Sequence, residues 1–218
     1  MRILITGATG LVGQGVLHEC LQAADVSHVA ALGRQASGRA DSKLEEIIVP
    51  DFTELRSVES RLHPYDACLY CAGVLPLGLS QAEFRRVTMD LTTHVARTLA
   101  HFNPAMTFVY VSGALSNPDS HLMPLKVKGE TERALAALPI RTVMFRPGGI
   151  QPVEGVHSPH SARDTLYQLT GPLMGLGVKL APQLMTTTER VGRAMLAVLR
   201  GREPPAVVEN AEINRLGA

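Results

Sequence analysis

The chain has 218 residues, 45% of them hydrophobic, enough to fill one globular domain around a buried sheet without demanding two. A formal charge of +1, aromatics at 4% and no Trp argue against a nucleic-acid backbone, an anionic membrane or stacked single-stranded bases as partners. No apolar run approaches the ~18 residues of a membrane span. The first residues do not read as a cleavable signal, and the three cysteines, Cys20, Cys68 and Cys71, are few and odd in number, so a reducing cytoplasm is the expected setting.

The opening stretch, residues 2–6, is a short apolar run that reads as a strand. Glycines follow at Gly7, Gly10 and Gly13, and Val12, Val16, Leu17 and Leu21 then recur at helical spacing over 11–24. Glycines in a strand-to-helix turn let the backbone bend sharply and let a diphosphate approach without meeting a Cβ. The free N–H groups and the helix dipole favour its negative charge. The spacing is GxxGxxG rather than GxGxxG, a partial match to the dinucleotide fingerprint. Residues Gly7, Thr9, Gly10, Leu11, Val12 and Gly13 are the expected cradle.

Further β-prone runs follow at 28–33, 46–49, 67–71, 106–111 and 140–145. Helical patterns lie at about 53–62, 81–102 and 125–138, whereas 34–45 is polar and reads mostly as loop. Strands alternating with helices, the strands almost continuously apolar, predict a doubly wound parallel sheet in a three-layer α/β/α Rossmann arrangement.

An acidic side chain that would bind an NAD ribose is expected at the end of the second strand. Gly33 and Arg34 stand there instead, and a guanidinium suits a 2′-phosphate, so NADP(H) is favoured, with NAD(H) the alternative and a solvated Arg34 the plain reading. Asp51 and Phe52 close the third strand where an adenine would lie, and Cys71, Ala72 and Gly73 end the fourth. "CLYC" at 68–71 has the spacing of a redox pair, but on a strand its two thiols point to opposite faces, which predicts buried structural cysteines.

Beyond Pro147 the pattern loosens. "RPGGIQPVEGVHSPHS" reads as loop, and the apolar, Gly- and Pro-broken 171–185 reads either as an irregular cap or as the lining of a substrate pocket. His157 and His160, with Asp164 near, invite a metal reading that Pro159 argues against; no metal site is predicted. A helix resumes from Thr186, with a Thr/Glu start signal and Gly201 at its end. One domain, 1–218, with a small cap within about 151–185, is the expected organisation.

"TGATGLVG", "DF" after the third strand, "CAGV" after the fourth, "YVSGA" after the fifth, "KGETE" on the next helix, "FRPGGI" after the sixth strand and "TTERVGRAMLAVL" fall in one order. In that order they resemble the short-chain dehydrogenase/reductases, in their atypical or extended branch, over roughly residues 2–200. The resemblance implies hydride transfer at a carbonyl carbon, with a Tyr as proton donor, a Lys four residues later, and a Ser placing the oxygen. It also implies cofactor contacts from Lys128 and from Pro147, Gly148, Gly149 and Ile150, and a homodimer through the long helix 81–102, whose apolar face is otherwise internal to the fold and on which Asp90 reads as a surface or interface group.

Lys128 matches the family lysine, but Pro124 stands where the Tyr should be and has no proton to give. Lys126 would ask for Tyr at Leu122. The serine slot falls on Gly113, with Ser112 one step early and Ser116 three later. Lys128 and Ser112 are therefore the catalytic candidates, the alternative for Lys128 being to hold the ribose hydroxyls without chemistry. Tyr110 and Tyr167 are potential substitutes, read otherwise as a core and a surface Tyr. Two functions remain open: an NADP(H)-dependent reductase- or epimerase-like enzyme acting on a small molecule, and a non-catalytic protein that responds to NADP(H).

Overall fold

The computed structural model describes residues 1–152 and 183–218. In β1 (Arg2–Thr6), Ile3 and Ile5 face one core and Leu4 the other, all three fully buried. The same two-sided burial recurs in β2 (His28–Gly33), β4 (Ala67–Tyr70), β5 (Thr107–Val111) and β6 (Arg141–Arg146), as expected of a sheet covered on both faces. With β3 (Leu44–Ile48) and β9 (Val207–Glu209) these form a seven-stranded parallel sheet in the order β3-β2-β1-β4-β5-β6-β9. A second, two-stranded parallel sheet pairs β7 (Gly149–Gln151) with β8 (Met185–Thr187).

On one face α1 (Leu11–Gln22), α5 (Thr188–Leu199) and α6 (Asn210–Leu216) close over Ile3, Ile5, Val29, Val109 and Phe145. On the other, a 3-10 helix (Leu55–Arg61) and α3 (Leu91–Phe102) cover Leu4, Leu32, Phe108 and Tyr110, joined by Leu135 of α4 (Met123–Ala136). The result is the doubly wound Rossmann fold. Its strand order reverses between β1 and β4, which opens a crevice at their carboxyl ends.

Several expectations are corrected. Residues 53–62 contain a 3-10 rather than an α-helix, and its buried Leu55 and Val58 lie three apart, the period of that helix. The expected single helix 81–102 is α2 (Gln81–Arg85), a π-helical turn (Arg86–Asp90) and α3; the Thr93 hydroxyl bonds the Met89 and Asp90 carbonyls across that turn. The stretch after Pro147 is not all loop, because β7 finds its partner in β8. The late helix begins at Thr188, capped by the Thr187 hydroxyl. The expected cap lies mostly outside the described residues, as do His157, His160, Asp164 and Tyr167.

The cysteine expectation holds: Cys68 lies in one core, Cys71 packs against the other beside Cys20, and all three are free. Burial pushes the Cys20 and Cys68 thiols well above the ordinary value of 9.0 and Cys71 to about 12.

The depth of α1 is fixed by a helix crossing that glycine allows. A Cβ on Gly15 would lie 2.5 Å from Thr188 Cβ, and one on Gly192 would lie 2.8 Å from Glu19 Cγ. Gly15→Ala should therefore force α1 and α5 apart and cost about 2 kcal/mol. Urea denaturation measures it, and a midpoint equal to that of the wild type would refute the crossing.

Candidate functional site

The β1–α1 turn is built by close backbone approach. Gly7 adopts φ +71°, and a Cβ there would fall 2.5 Å from the Ala72 nitrogen. A Cβ on Gly13 would fall 2.0 Å from the Gly7 carbonyl oxygen. That carbonyl accepts the Gly10 N–H at 2.9 Å, and Gly10 is the N-cap of α1, with no side-chain cap and no acidic residue in the first turn. The N–H groups of Leu11, Val12 and Gly13, which an α-helix cannot pair internally, are thus left at the crevice. Thr9 is exposed beside them, and its carbonyl accepts from the Gln14 amide at 2.9 Å.

The neighbouring strand ends complete the crest. The Cys71 N–H donates to the Thr6 carbonyl at 3.1 Å, which draws Cys71, Ala72 and Gly73 against the turn. Arg34 follows Gly33 at the end of β2, exposed and without an ion-pair partner among the described residues. Asp51 is exposed, and its carboxylate accepts the Thr53 N–H at 2.8 Å, a bond that lowers its pKa from the ordinary 3.8. Phe52 packs half-buried against the core beside it. The crest thus combines unpaired N–H groups, a free guanidinium and a partly apolar floor, and a nicotinamide dinucleotide fits this donor set.

Further along, Ser112 is buried, its hydroxyl 3.0 Å from that of Ser116, which also donates to the Gly113 carbonyl. Lys128, on α4, donates to the Ser112 carbonyl at 2.8 Å. A Cβ on Gly113 would lie 2.8 Å from Lys128 Nζ, so the ammonium fills the space beside the serine slot that Gly113 leaves empty. Burial lowers the Lys128 pKa below 10.5, with the charge of Glu132 opposing.

Glu132 in turn holds Arg146 through two bonds, at 2.9 and 2.6 Å, and Arg146 also reaches Glu209 at 2.9 Å. This partly buried cluster joins α4, β6 and β9 below the site. Pro124 lies in the first turn of α4, which proline suits. Tyr110 is buried in the core, where desolvation raises its phenol pKa, so it offers no proton at the crest. Asp90 is exposed at the end of the π-helical turn, as expected.

The segment Pro147–Ile150 is braced from a region in which the sequence reading saw no role. The Gly148 N–H donates to Asn210 Oδ1 and the Gly149 N–H to the Leu184 carbonyl, both at 2.8 Å. Asn210 and Asn214 each donate to the Met185 carbonyl, and Asn214 accepts from Thr186. An Asn pair four apart on the terminal helix was the available signal. A separate groove of about 810 Å³, lined by Arg56, Glu59, His94 and Arg97 among others, lies between the 3-10 helix and α3, away from the glycine turn.

Residues 3–134 match the family described as NAD dependent epimerase/dehydratase. The chain belongs to that family. Among its relatives, Leucinostatins biosynthesis cluster protein T of Purpureocillium lilacinum is 26% identical over 250 residues, covering 100% of this chain and 93% of its own. Protein FMP52, mitochondrial, of Saccharomyces cerevisiae is 31% identical over 153 residues, 68% of this chain and 65% of its own. The Bordetella bronchiseptica enzyme WbmH in complex with NAD+ superposes at a TM-score of 0.68 and 15% identity over 93% of this chain and 72% of that one. UDP-glucuronic acid 4-epimerase from Bacillus cereus in complex with NAD does so at 0.68 and 15%, over 95% and 76%. These solved structures speak for the fold alone.

A buried lysine whose folded pKa lies below its unfolded value weakens the fold while it is charged. That cost is fully present below the depressed value. It is relieved as the pH climbs from the depressed value towards 10.5, where the unfolded chain binds the extra proton. Lys128→Met carries no such charge, so its stability relative to wild type should fall as urea melts are moved from pH 7 to pH 10.5. A difference that stays flat with pH would contradict a depressed lysine.

Proposed function

We propose that this epimerase/dehydratase-family protein binds NADP(H) and acts as an oxidoreductase- or epimerase-like enzyme of the atypical short-chain dehydrogenase/reductase type, with a non-standard proton donor. The observation that carries the reading is the glycine turn, whose backbone leaves no room for a Cβ at Gly7 or Gly13. The first-turn N–H groups of α1 would hold the diphosphate. Arg34 would pair with a 2′-phosphate, Asp51 and Phe52 would border the adenine, and Cys71 to Gly73 would admit the cofactor close to the sheet. When bound, the cofactor supplies the hydride or accepts it. Lys128 would hold the nicotinamide ribose or a substrate oxygen, Ser112 would fix the Lys128 ammonium through its carbonyl, and Pro147 to Ile150 would wall the nicotinamide side.

With Pro124 in the tyrosine position, the proton comes from water, from the substrate or from a group other than a family Tyr. That same substitution favours a second reading, a binding protein that responds to NADP(H) without turnover. Incubation with NADPH and a panel of aldehydes, ketones and quinones separates the two. Turnover lost in Lys128→Ala supports the enzyme; tight binding with no turnover supports the responsive protein.

Cofactor choice rests on Arg34. A guanidinium–phosphate pair is worth about 1.5–3 kcal/mol, so Arg34→Ala should weaken NADPH binding roughly ten- to a hundredfold and NADH binding by less than about threefold. Calorimetric titration with both dinucleotides reads this directly, and equal losses would remove the preference for NADP(H).

A further inference from the structure

Seven large apolar side chains are exposed among the described residues, and one of them, Ile48, sits at the end of the edge strand β3. The other six lie on loops at or near the carboxyl ends of strands: Val74, Leu75 and Leu77 after β4, Leu115 and Leu122 after β5, and Leu184 just before β8. Leu77, Leu115, Leu122 and Leu184 are 79%, 76%, 65% and 69% exposed. Scattered exposed leucines need no explanation, but these six share one end of the molecule.

The topology brings their loops together. Tyr70 of β4 lies opposite Tyr110 of β5, so the two loops leave the sheet side by side. The Ala114 N–H donates to the Pro147 carbonyl at 3.1 Å, which joins the β5 loop to the β6 loop. The Asn117 N–H donates to the Leu125 carbonyl at 3.0 Å and draws in the start of α4, next to Leu122. Leu184 is fixed to the β6 loop through its bond from Gly149. Beneath this rim lie Ser112, Gly113 and Lys128.

Leu115 adds an independent sign. It is the one non-glycine residue with positive φ, +62°, among the described residues. A leucine in the left-handed region is strained and here also exposed, two costs that a glycine would remove. Strain of this kind is kept where a side chain is needed at a site.

We propose that this leucine rim is the substrate mouth and that it receives an apolar aldehyde or ketone, the alkyl or aryl body lying against Leu77, Leu115, Leu122 and Leu184 with the carbonyl directed towards Lys128. The proposal rests on the carbonyl-directed reading given above and narrows its substrate class away from sugar nucleotides.

The test is amide NMR on the ¹⁵N-labelled full chain, titrated in separate arms with a 2-alkanone series from butan-2-one to decan-2-one, with UDP-glucose and with NADPH. Ketones should shift amides at 74–77, 113–116, 122–125 and 184–187, with affinity rising roughly two- to fourfold per added methylene. UDP-glucose should leave those amides unmoved. Leu115→Gly, whose backbone suits the left-handed turn, should fold at least as well as wild type and bind octan-2-one roughly tenfold more weakly. Ketone shifts that are absent or map elsewhere, a chain-length series that is flat, UDP-glucose binding at the rim, or an unchanged affinity in Leu115→Gly would each overturn the proposal. NADPH shifts at residues 7–13 are read separately, so loss of the dinucleotide reading and loss of the apolar mouth are distinct results.

Discussion

The site depends on how closely two pieces of backbone approach at the point where the strand order reverses. Gly7 meets the main chain of Ala72 at a distance that no side chain would permit, and Gly13 meets the Gly7 carbonyl more closely still. These contacts fix where α1 begins. The parallel ladders on either side of β1 hold the register, with Thr6 opposite Leu32 on one side and Tyr70 on the other. The Gly15 and Gly192 crossing then prevents α1 from sliding along its own axis. Donors that would be mobile in an isolated turn are held by a packed core, and a ligand binding there has little ordering left to supply.

The second constraint runs through charge. Arg146 ends β6 with its guanidinium shared between Glu132 of α4 and Glu209 at the end of β9. Bidentate geometry and low exposure make the Arg146–Glu132 pair stronger than a surface bridge, and removal of Glu132 would leave a poorly hydrated cation with only the exposed Glu209 as partner. The terminal helix adds neutral bonds from Asn210 and Asn214 to the segments on both sides of the undescribed stretch. Residues distant in sequence thereby set the position of Pro147 and Gly148. A Cβ on Gly148 would strike the Leu184 carbonyl at 2.1 Å, so this glycine serves chain packing whatever else it serves.

The parts legible in the sequence were those with a local cause. Apolar runs bounded by glycine marked β1, β2 and β4, and the spacing of Val16, Leu17 and Leu21 marked α1. The start of β3, Leu44 and Glu45, was hidden because it closes a polar stretch that reads as loop. In the fold Glu45 pairs with Arg61 at 2.7 Å, and Glu46 accepts from Ser37, which satisfies charges that the pattern could only read as solvated. The strands β7, β8 and β9 are three residues each, too short for a period to register, and each exists because of a partner far along the chain. The glycine turn could be read since its close approaches are backbone geometry written in glycine. The brace from Asn210 could not, since nothing near position 148 announces its partner.

Gly113, Pro124 and Lys128 are best understood as one set. The resemblance read from the sequence would set the lysine one turn from a tyrosine and near a serine. Here the missing Cβ at 113 leaves a space into which the ammonium turns, and it bonds a main-chain carbonyl instead. Proline at 124 costs the helix nothing, lying in a first turn whose N–H groups have no intrahelical acceptor. A proline in the first turn of α4 and a lysine bonded to a main-chain carbonyl one turn later therefore coexist without cost to the helix. The desolvated ammonium is held against Ser112 and Gly113 by that carbonyl bond, with the charge of Glu132 favouring its protonated form.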